Sequence, residues 1–282
     1  GKNASSNNIT INGDLIRDNS GTYNKNVQIK GGSNNTININ GDLIQRGLGA
    51  SIGIQTFGGH IANNNTINLV GDANDNIYLD DTNNTINITG NITGGGYKAS
   101  AVGIRGDSNT LNVEGNITAS GGFLTNGIEF YSTDNNIVDI DGNVTSQGED
   151  ARGIYFYYSD SNAVTISGDV TTLPPGRGTA DAPIDIYYSN NNTITLSGKI
   201  QSPNLTAINI DTYSRGNTII LNKGSHVVGY SGLNNDGSDT IITNLGTIDG
   251  VINRGSNMTL NNGGSLTFPH GVNYLPVNYN II

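Results

Sequence analysis

The chain contains no cysteine among its 282 residues. Disulfide staples and thiolate chemistry are therefore excluded, and the absence suits a chain exported unfolded through an oxidising compartment. No apolar run of about 18 residues occurs, so no segment reads as a membrane-spanning helix. Basic residues are scarce: 13 Lys and Arg stand against 23 Asp and Glu, giving a net charge of −10 and a pI near 4.5. That balance disfavours nucleic acid and anionic membrane surfaces as partners and suits a solvated extracellular face. No secretory leader precedes Gly1, and the sequence reads as a piece of a larger protein. The length fits one elongated domain over 1–282 or two globular ones.

Asparagine and glycine are abundant, at 46 and 40 residues. Such a composition can mark a disordered, Asn-rich tract. The aliphatics argue otherwise, because they are periodic. "NNITINGDLI" from Asn7 returns as "NTININGDLI" from Asn35, "NTINLVGDAN" from Asn65 and "NTINITGNIT" from Asn84. It returns again as "NTLNVEGNIT" from Asn109, "NIVDIDGNVT" from Asn136, "NAVTISGDVT" from Asn162 and "NTITLSGKIQ" from Asn192, with a weaker copy from Asn217. Self-similarity at a period of about 19 to 30 residues is the signature of a solenoid.

Within each unit Ile37 and Ile39, Leu111 and Val113, or Ile194 and Leu196 alternate with polar residues, as a strand with one buried face requires. A glycine turns the chain into a second short strand carrying Leu43, Ile92, Ile117, Val144, Val170 or Ile200. A third strand precedes the next asparagine: "GIEFY" at Gly127, "GIYFY" at Gly153, "PIDIY" at Pro183 and "AINID" at Ala207. The expected fold is all-β: a right-handed parallel β-helix with three strands per coil and about eleven coils, roughly 50 Å long at about 4.8 Å per coil. The register stacks Asn7, Asn35, Asn65, Asn84, Asn109, Asn136, Asn162, Asn192 and Asn217 in one column. Asparagine tolerates the left-handed conformation of a sharp bend, and its amide can bond to the one above and below. The column is expected to be a structural ladder. The Asn-x-Thr triplets at Asn34, Asn83, Asn91, Asn116 and Asn143 follow from that composition.

Catalytic constellations are thin. Asp139 and Asp141 flank inward Ile140 and could form the carboxylate pair of a glycosidase, but neighbouring coils carry Asn38 and Asn40 or Thr165 and Ser167 there. "GDSN" at Gly106 places Ser108 in a bend shared with Ser161 and Asn191. A triad would also need a histidine, and His60, His226 and His270 lie coils away. Arg152 and Arg215, possible lyase bases, do not recur beside an acid cluster. Neither a zinc-ligand set nor a calcium-binding nonapeptide is present, and no cofactor or metal is expected.

The third strand offers a surface. With Ile128 and Phe130 inward, Glu129 and Tyr131 point outward; Ile154/Phe156 and Ile184/Ile186 set the same phase for Tyr157, Asp185 and Tyr187. Tyr131, Tyr157 and Tyr187 should stack as an exposed strip, with Tyr158 and Tyr188 at its edge and Glu129 and Asp185 beside it. Cross-strand aromatics stabilise sheets by themselves. Exposed Tyr next to carboxylates also suits sugar or protein recognition. The loop Thr171–Ala182, with Pro174 and Pro175, is long enough to overhang the strip.

Two C-terminal stretches carry a resemblance. "TIITNLGTIDGVINRGSNMTLNNGGSLTF", from Thr240 to Phe268, and "GVNYLPVNYNII", from Gly271 to Ile282, resemble the late coils and the end segment of the passenger domains of type V autotransporters of Gram-negative bacteria. The resemblance implies a protein at the cell surface or released from it, commonly an adhesin or self-associating factor. It implies an outer-membrane β-barrel partner that is not part of this chain. The expected function is non-catalytic adhesion or cell–cell aggregation in biofilm. The partner is then a copy on a neighbouring cell, or a host glycan or extracellular protein. A polysaccharide lyase or glycoside hydrolase, or a phage tailspike fragment, is the alternative.

Overall fold

Each repeat up to Asn217 begins with the same event: a left-handed residue, then an asparagine, then a strand; the next two turns keep the left-handed residue, at Asp239 and Asn257, but follow it with Thr240 and Met258. In the computed structural model, which describes residues 5–17, 24–45, 49–55, 61–96, 98–173, 182–202, 205–253, 256–267 and 278–282, these strands build one 12-stranded parallel sheet. It runs from Asn8–Asn12 through Thr36–Asn40, Thr110–Glu114 and Thr193–Leu196 to Asn278–Ile281. The remaining 19 strands form a second parallel sheet that winds round the other sides of the stack. The chain is all-β, a parallel β-solenoid of about eight turns, with no helix among the described residues. Beyond Asn217 the pattern simplifies. The single strand His226–Asn235 pairs with both Lys199–Gln201 and Thr206–Ile210, so the corner between those two strands is lost one turn later.

The inward aliphatics stack in register as their alternation requires. Ile67, Ile86, Leu111, Val138, Val164 and Ile194 form one internal column of the first sheet, each opposite the next. Ile92, Ile117, Val144, Val170 and Ile200 form a second, on the other sheet. All are essentially inaccessible, and each such side chain stabilises the fold by about 1.5–3 kcal/mol relative to an exposed one. Phe130 and Phe156 replace aliphatics in one column and stack face to face at 4.6 Å and 4°.

The asparagine column is a ladder of defined polarity. Oδ1 of each member accepts the backbone N–H of the member one turn earlier at 2.8–3.2 Å, from Asn7 to Asn217. In six of these steps the earlier amide Nδ2 also donates to the same oxygen, at 2.9–3.2 Å. Asn84 and Asn109 instead turn Nδ2 to the carbonyls of Ala62 and Gly106. Asn7 is exposed; the other eight are buried. The left-handed residue is not the ladder asparagine, as its tolerance for that region suggested, but the one before it. Asn34, Asn64, Asn83, Ser108, Asn135, Ser161 and Asn191 all have φ between 54° and 60°.

A second, exposed ladder escapes the alternation argument. The residue after each turn glycine forms the column Asp14, Asp42, Asp72, Asn91, Asn116, Asn143, Asp169. Here each Oδ1 accepts the backbone N–H of the following turn, at 2.6–3.0 Å, opposite in sense to the buried ladder. The glycines stack as well. A Cβ on Gly90, Gly115 or Gly142 would strike the backbone carbonyl of the glycine one turn below, so close backbone approach selects glycine there.

Candidate binding site: a tyrosine strip and its groove

The strands Asn126–Tyr131, Arg152–Tyr157 and Ile184–Tyr187 pair in parallel, with Tyr131 opposite Tyr157 and Tyr157 opposite Tyr187. Inward Ile128, Phe130, Ile154, Phe156, Ile184 and Ile186 are all fully buried, which fixes the outward phase of the tyrosines. The rings stack. Tyr131 and Tyr157 are 5.2 Å apart at 25°, and Tyr157 and Tyr187 are 5.7 Å apart at 1°. Tyr131 is 46% exposed and Tyr187 is 37% exposed.

A second row runs beside the first round the corner. Tyr158 stacks on Tyr188 at 4.8 Å, and Tyr188 stacks on Tyr213 at 4.3 Å. The rows meet edge to face, Tyr157 against Tyr158 at 87° and Tyr187 against Tyr188 at 65°. Tyr158 and Tyr188 both hold φ near 50°, where Ser132 sits one turn earlier at 51°. A bulky residue in that region carries strain on the order of 1 kcal/mol or more. Burial among the rings, followed by the Tyr213 hydroxyl, pushes the Tyr188 hydroxyl up to about 12. Tyr213 was not expected in the strip. The turn Asp211–Ser214 holds one residue more than the same bend one turn earlier, so alternation alone does not place it.

The column next to the strip is Glu129, Tyr155, Asp185, Asn209. Glu129 is half-buried and accepts from the Ser100 hydroxyl at 3.1 Å and the Asn126 amide at 3.5 Å. Asp185 is not the open acceptor its outward phase suggested. It is 7% exposed, paired with Arg152 Nε at 2.7 Å, and accepts from the Asn209 amide at 2.8 Å. The Arg152 guanidinium also lies 4.4 Å from the centre of the Tyr155 ring and so covers the carboxylate. Burial pushes the Tyr155 hydroxyl well up, although Arg152 pulls the other way.

Between these groups opens a groove of about 240 Å³, walled by Tyr131, Tyr155, Tyr157, Glu129, Arg152, Asn126, Lys98 and Leu124. Asn126 opens the same strand as Glu129, whereas Lys98 comes from a segment with no distinctive motif and only the fold brings it to this groove. Two coils before Glu129 the same outward column carries Tyr78, with Lys25 Nζ at 5.7 Å and the Arg105 guanidinium at 5.3 Å from its ring centre. Asp80 lies 3.8 Å from Arg105. Burial lowers Lys25 from its ordinary value and raises Asp80 and Asp75 from theirs.

The other candidates stay apart. Asp139 and Asp141 are exposed, and Asp141 accepts from the Ser167 hydroxyl at 2.7 Å. Ser108 occupies the left-handed bend with φ 58°, and His226 lies 3.9 Å from Asp249 on another strand. Among the described residues no group of three or more His, Cys, Asp or Glu could hold a metal ion. The strand before the long loop extends to Leu173, and residues 174–181, with Pro174 and Pro175, lie outside the described residues. Of the end segment from Gly271 only 278–282 is described, its strand Asn278–Ile281 stacking on Thr259–Asn262.

Fold and site together define a parallel β-solenoid that carries a two-row tyrosine strip and a polar groove on one flank. Comparison with protein-family models, with curated proteins and with solved structures returns no match for this chain.

Proposed function

We propose that the chain is a non-catalytic surface adhesin, the passenger of a type V autotransporter, displayed on the outer face of a Gram-negative cell or released from it. In this reading it is a right-handed β-helix of three-stranded coils, about eleven of them, projecting as a rod. Contacts repeated along the rod add by multivalency, between cells or against a host surface. The observation that carries the reading is the tyrosine strip. Six rings stack on a polar solenoid, two of them on left-handed backbone that serine occupies one turn earlier. Strain retained for exposed aromatic area argues for recognition over scaffold. The two C-terminal stretches supply the resemblance to passengers.

The test displays the chain on a non-adherent bacterium. Displaying cells should settle together or bind host cell layers. The triple variant Tyr131→Ser, Tyr157→Ser, Tyr187→Ser should keep the parent circular dichroism and lose that adhesion. Adhesion undiminished in the triple variant removes the strip from the mechanism. Displaying cells that neither settle nor adhere, with purified chain strictly monomeric at high concentration, remove the adhesin. A second reading, a polysaccharide-active enzyme, is favoured by Glu129 and Arg152 facing one groove. Release of new reducing or unsaturated ends from polysaccharide, abolished by Glu129→Gln, would select it.

A further inference from the structure

We propose that the groove beside the strip is a subsite for an uncharged pyranose, one ring of a linear glycan lying along the solenoid axis. The inference rests on the adhesive reading for its biological use, and on the groove's chemistry for the ligand class.

Four observations converge. The Tyr131 and Tyr157 rings, stacked at 5.2 Å, form one wall, and an aromatic face is what the C–H face of a pyranose packs against. Most of the remaining lining is polar. Glu129 supplies acceptors, while Lys98 and Arg152 supply donors; Asn126 spends its amide hydrogens on Ser100 and Glu129.

The charges then decide between sugars. Lys98 and Arg152 contribute two positive charges, and Glu129 and the Asp185 paired to Arg152 contribute two negative ones. The local sum is zero, inside a chain whose net charge is −10. A uronate or sulfated ring meets Glu129 and the long-range negative field, and an amino sugar meets Lys98 and Arg152. Neither gains from the site, whereas hydroxyls use both kinds of group.

Size and direction complete the argument. A groove of about 240 Å³ lies below the usual range for drug-sized ligands and suits a single ring. The column beyond it continues as an amide ladder. Asn209 donates to Asp185 at 2.8 Å, Asn234 to Asn209 at 2.9 Å and Asn253 to Asn234 at 3.1 Å. An amide has two N–H donors and two lone pairs. These ladder bonds use one donor of each and at most one lone pair; Asn234 spends its second donor on Asp236 at 3.2 Å, so what is left at every turn is acceptor capacity. Turns rise by about 4.8 Å, close to the advance of one sugar in an extended chain. Successive rings would meet successive amides.

The test is titration of the purified chain with neutral linear hexasaccharides of glucose, mannose, galactose and xylose, and with hexagalacturonate. At least one neutral oligomer should bind and shift the ring resonances of Tyr131 and Tyr157. Tyr131→Ala should weaken it at least tenfold, and Glu129→Gln severalfold, with the circular dichroism unchanged. Hexagalacturonate should bind at least tenfold more weakly. Preference for hexagalacturonate, binding of no oligomer, or binding indifferent to Tyr131→Ala would each overturn the subsite. Displaying cells that adhere while the purified chain binds no sugar would sink this inference and leave the adhesin. Sugar binding without adhesion would do the reverse.

Discussion

Removing one asparagine from the middle of the buried ladder tests the scaffold directly. Asn136 is fully buried. Its Oδ1 accepts the Asn109 N–H at 2.8 Å, and its Nδ2 donates to Thr133 Oγ1 and to Asn162 Oδ1, both at 2.9 Å. In Asn136→Ala the Asn109 N–H is left buried without an acceptor, which costs about 1–3 kcal/mol, and each lost amide bond costs about 1 kcal/mol net. Released side-chain entropy returns roughly 1 kcal/mol. The expected loss is roughly 3 kcal/mol, or about 5 °C in melting temperature for a chain of this size. The control is Asn143→Ala. Asn143 donates to Asn116 Oδ1 at 2.9 Å and accepts the Asp169 N–H at 2.8 Å, in the exposed ladder. Water replaces both bonds there, so the expected loss is under about 1 kcal/mol. Urea and thermal unfolding of the parent and both variants measure the difference. Equal losses would refute the argument that burial, rather than bond count, gives the ladder its weight.

Gly115→Ala should destabilise more than Asn143→Ala, since its Cβ meets the Gly90 carbonyl and only a backbone shift relieves the clash; an unchanged melting temperature sinks the close-packing argument. Asp80→Asn tests the cluster at Tyr78. Burial raises the Asp80 carboxyl above 3.8 despite Lys25 and Arg105, so its contribution is greatest below that value and is lost as pH rises through the folded pKa. The variant, mimicking the protonated form, should melt no lower than the parent at neutral pH and show a flatter acid limb. A clear loss at pH 7 would mean that the Arg105 pair dominates. Tyr188, raised from 10 to about 12, should hold its contribution below pH 10 and lose it as pH rises through 12. Tyr188→Phe should reduce that alkaline loss, and an absorbance titration that finds every tyrosine ionising near 10 would contradict the stacked second row.

Alternation made the strands, the inward columns and the outward phase of Tyr131, Tyr157 and Tyr187 legible, because a one-residue slip would bury the polar face. The asparagine register was legible for the same reason. What alternation cannot convey is who covers whom. Asp185 has the outward phase of Tyr155, yet Arg152, from the neighbouring turn, folds over it. Lys98 reaches the groove from a segment without a motif, and Tyr213 joins the second row past a change in spacing. These placements depend on loops of unequal length. The exposed Asx ladder had a signal, the Gly-Asp or Gly-Asn pair after each first strand, whose meaning lies in hydrogen bonding between turns.

The two ladders show why composition differs between columns that make similar bonds. In the buried column Oδ1 accepts up to two hydrogen bonds and Nδ2 donates, so aspartate would lack the donor and bring an uncompensated charge into a dry site. All nine positions are asparagine. In the exposed column only an acceptor for one N–H is needed and water screens the charge. Asp14, Asp42, Asp72 and Asp169 therefore share the column with Asn91, Asn116 and Asn143. Each column's chemistry thus follows from burial and from the polarity of its bonds. The tyrosine rows do not follow from that rule. Nothing in the backbone asks for a ring at Tyr158 or Tyr188, where the left-handed bend is served by serine in the coil before. A repeat that departs from its own physical logic on two consecutive turns, and carries strain to do so, is where a function separate from folding is to be sought.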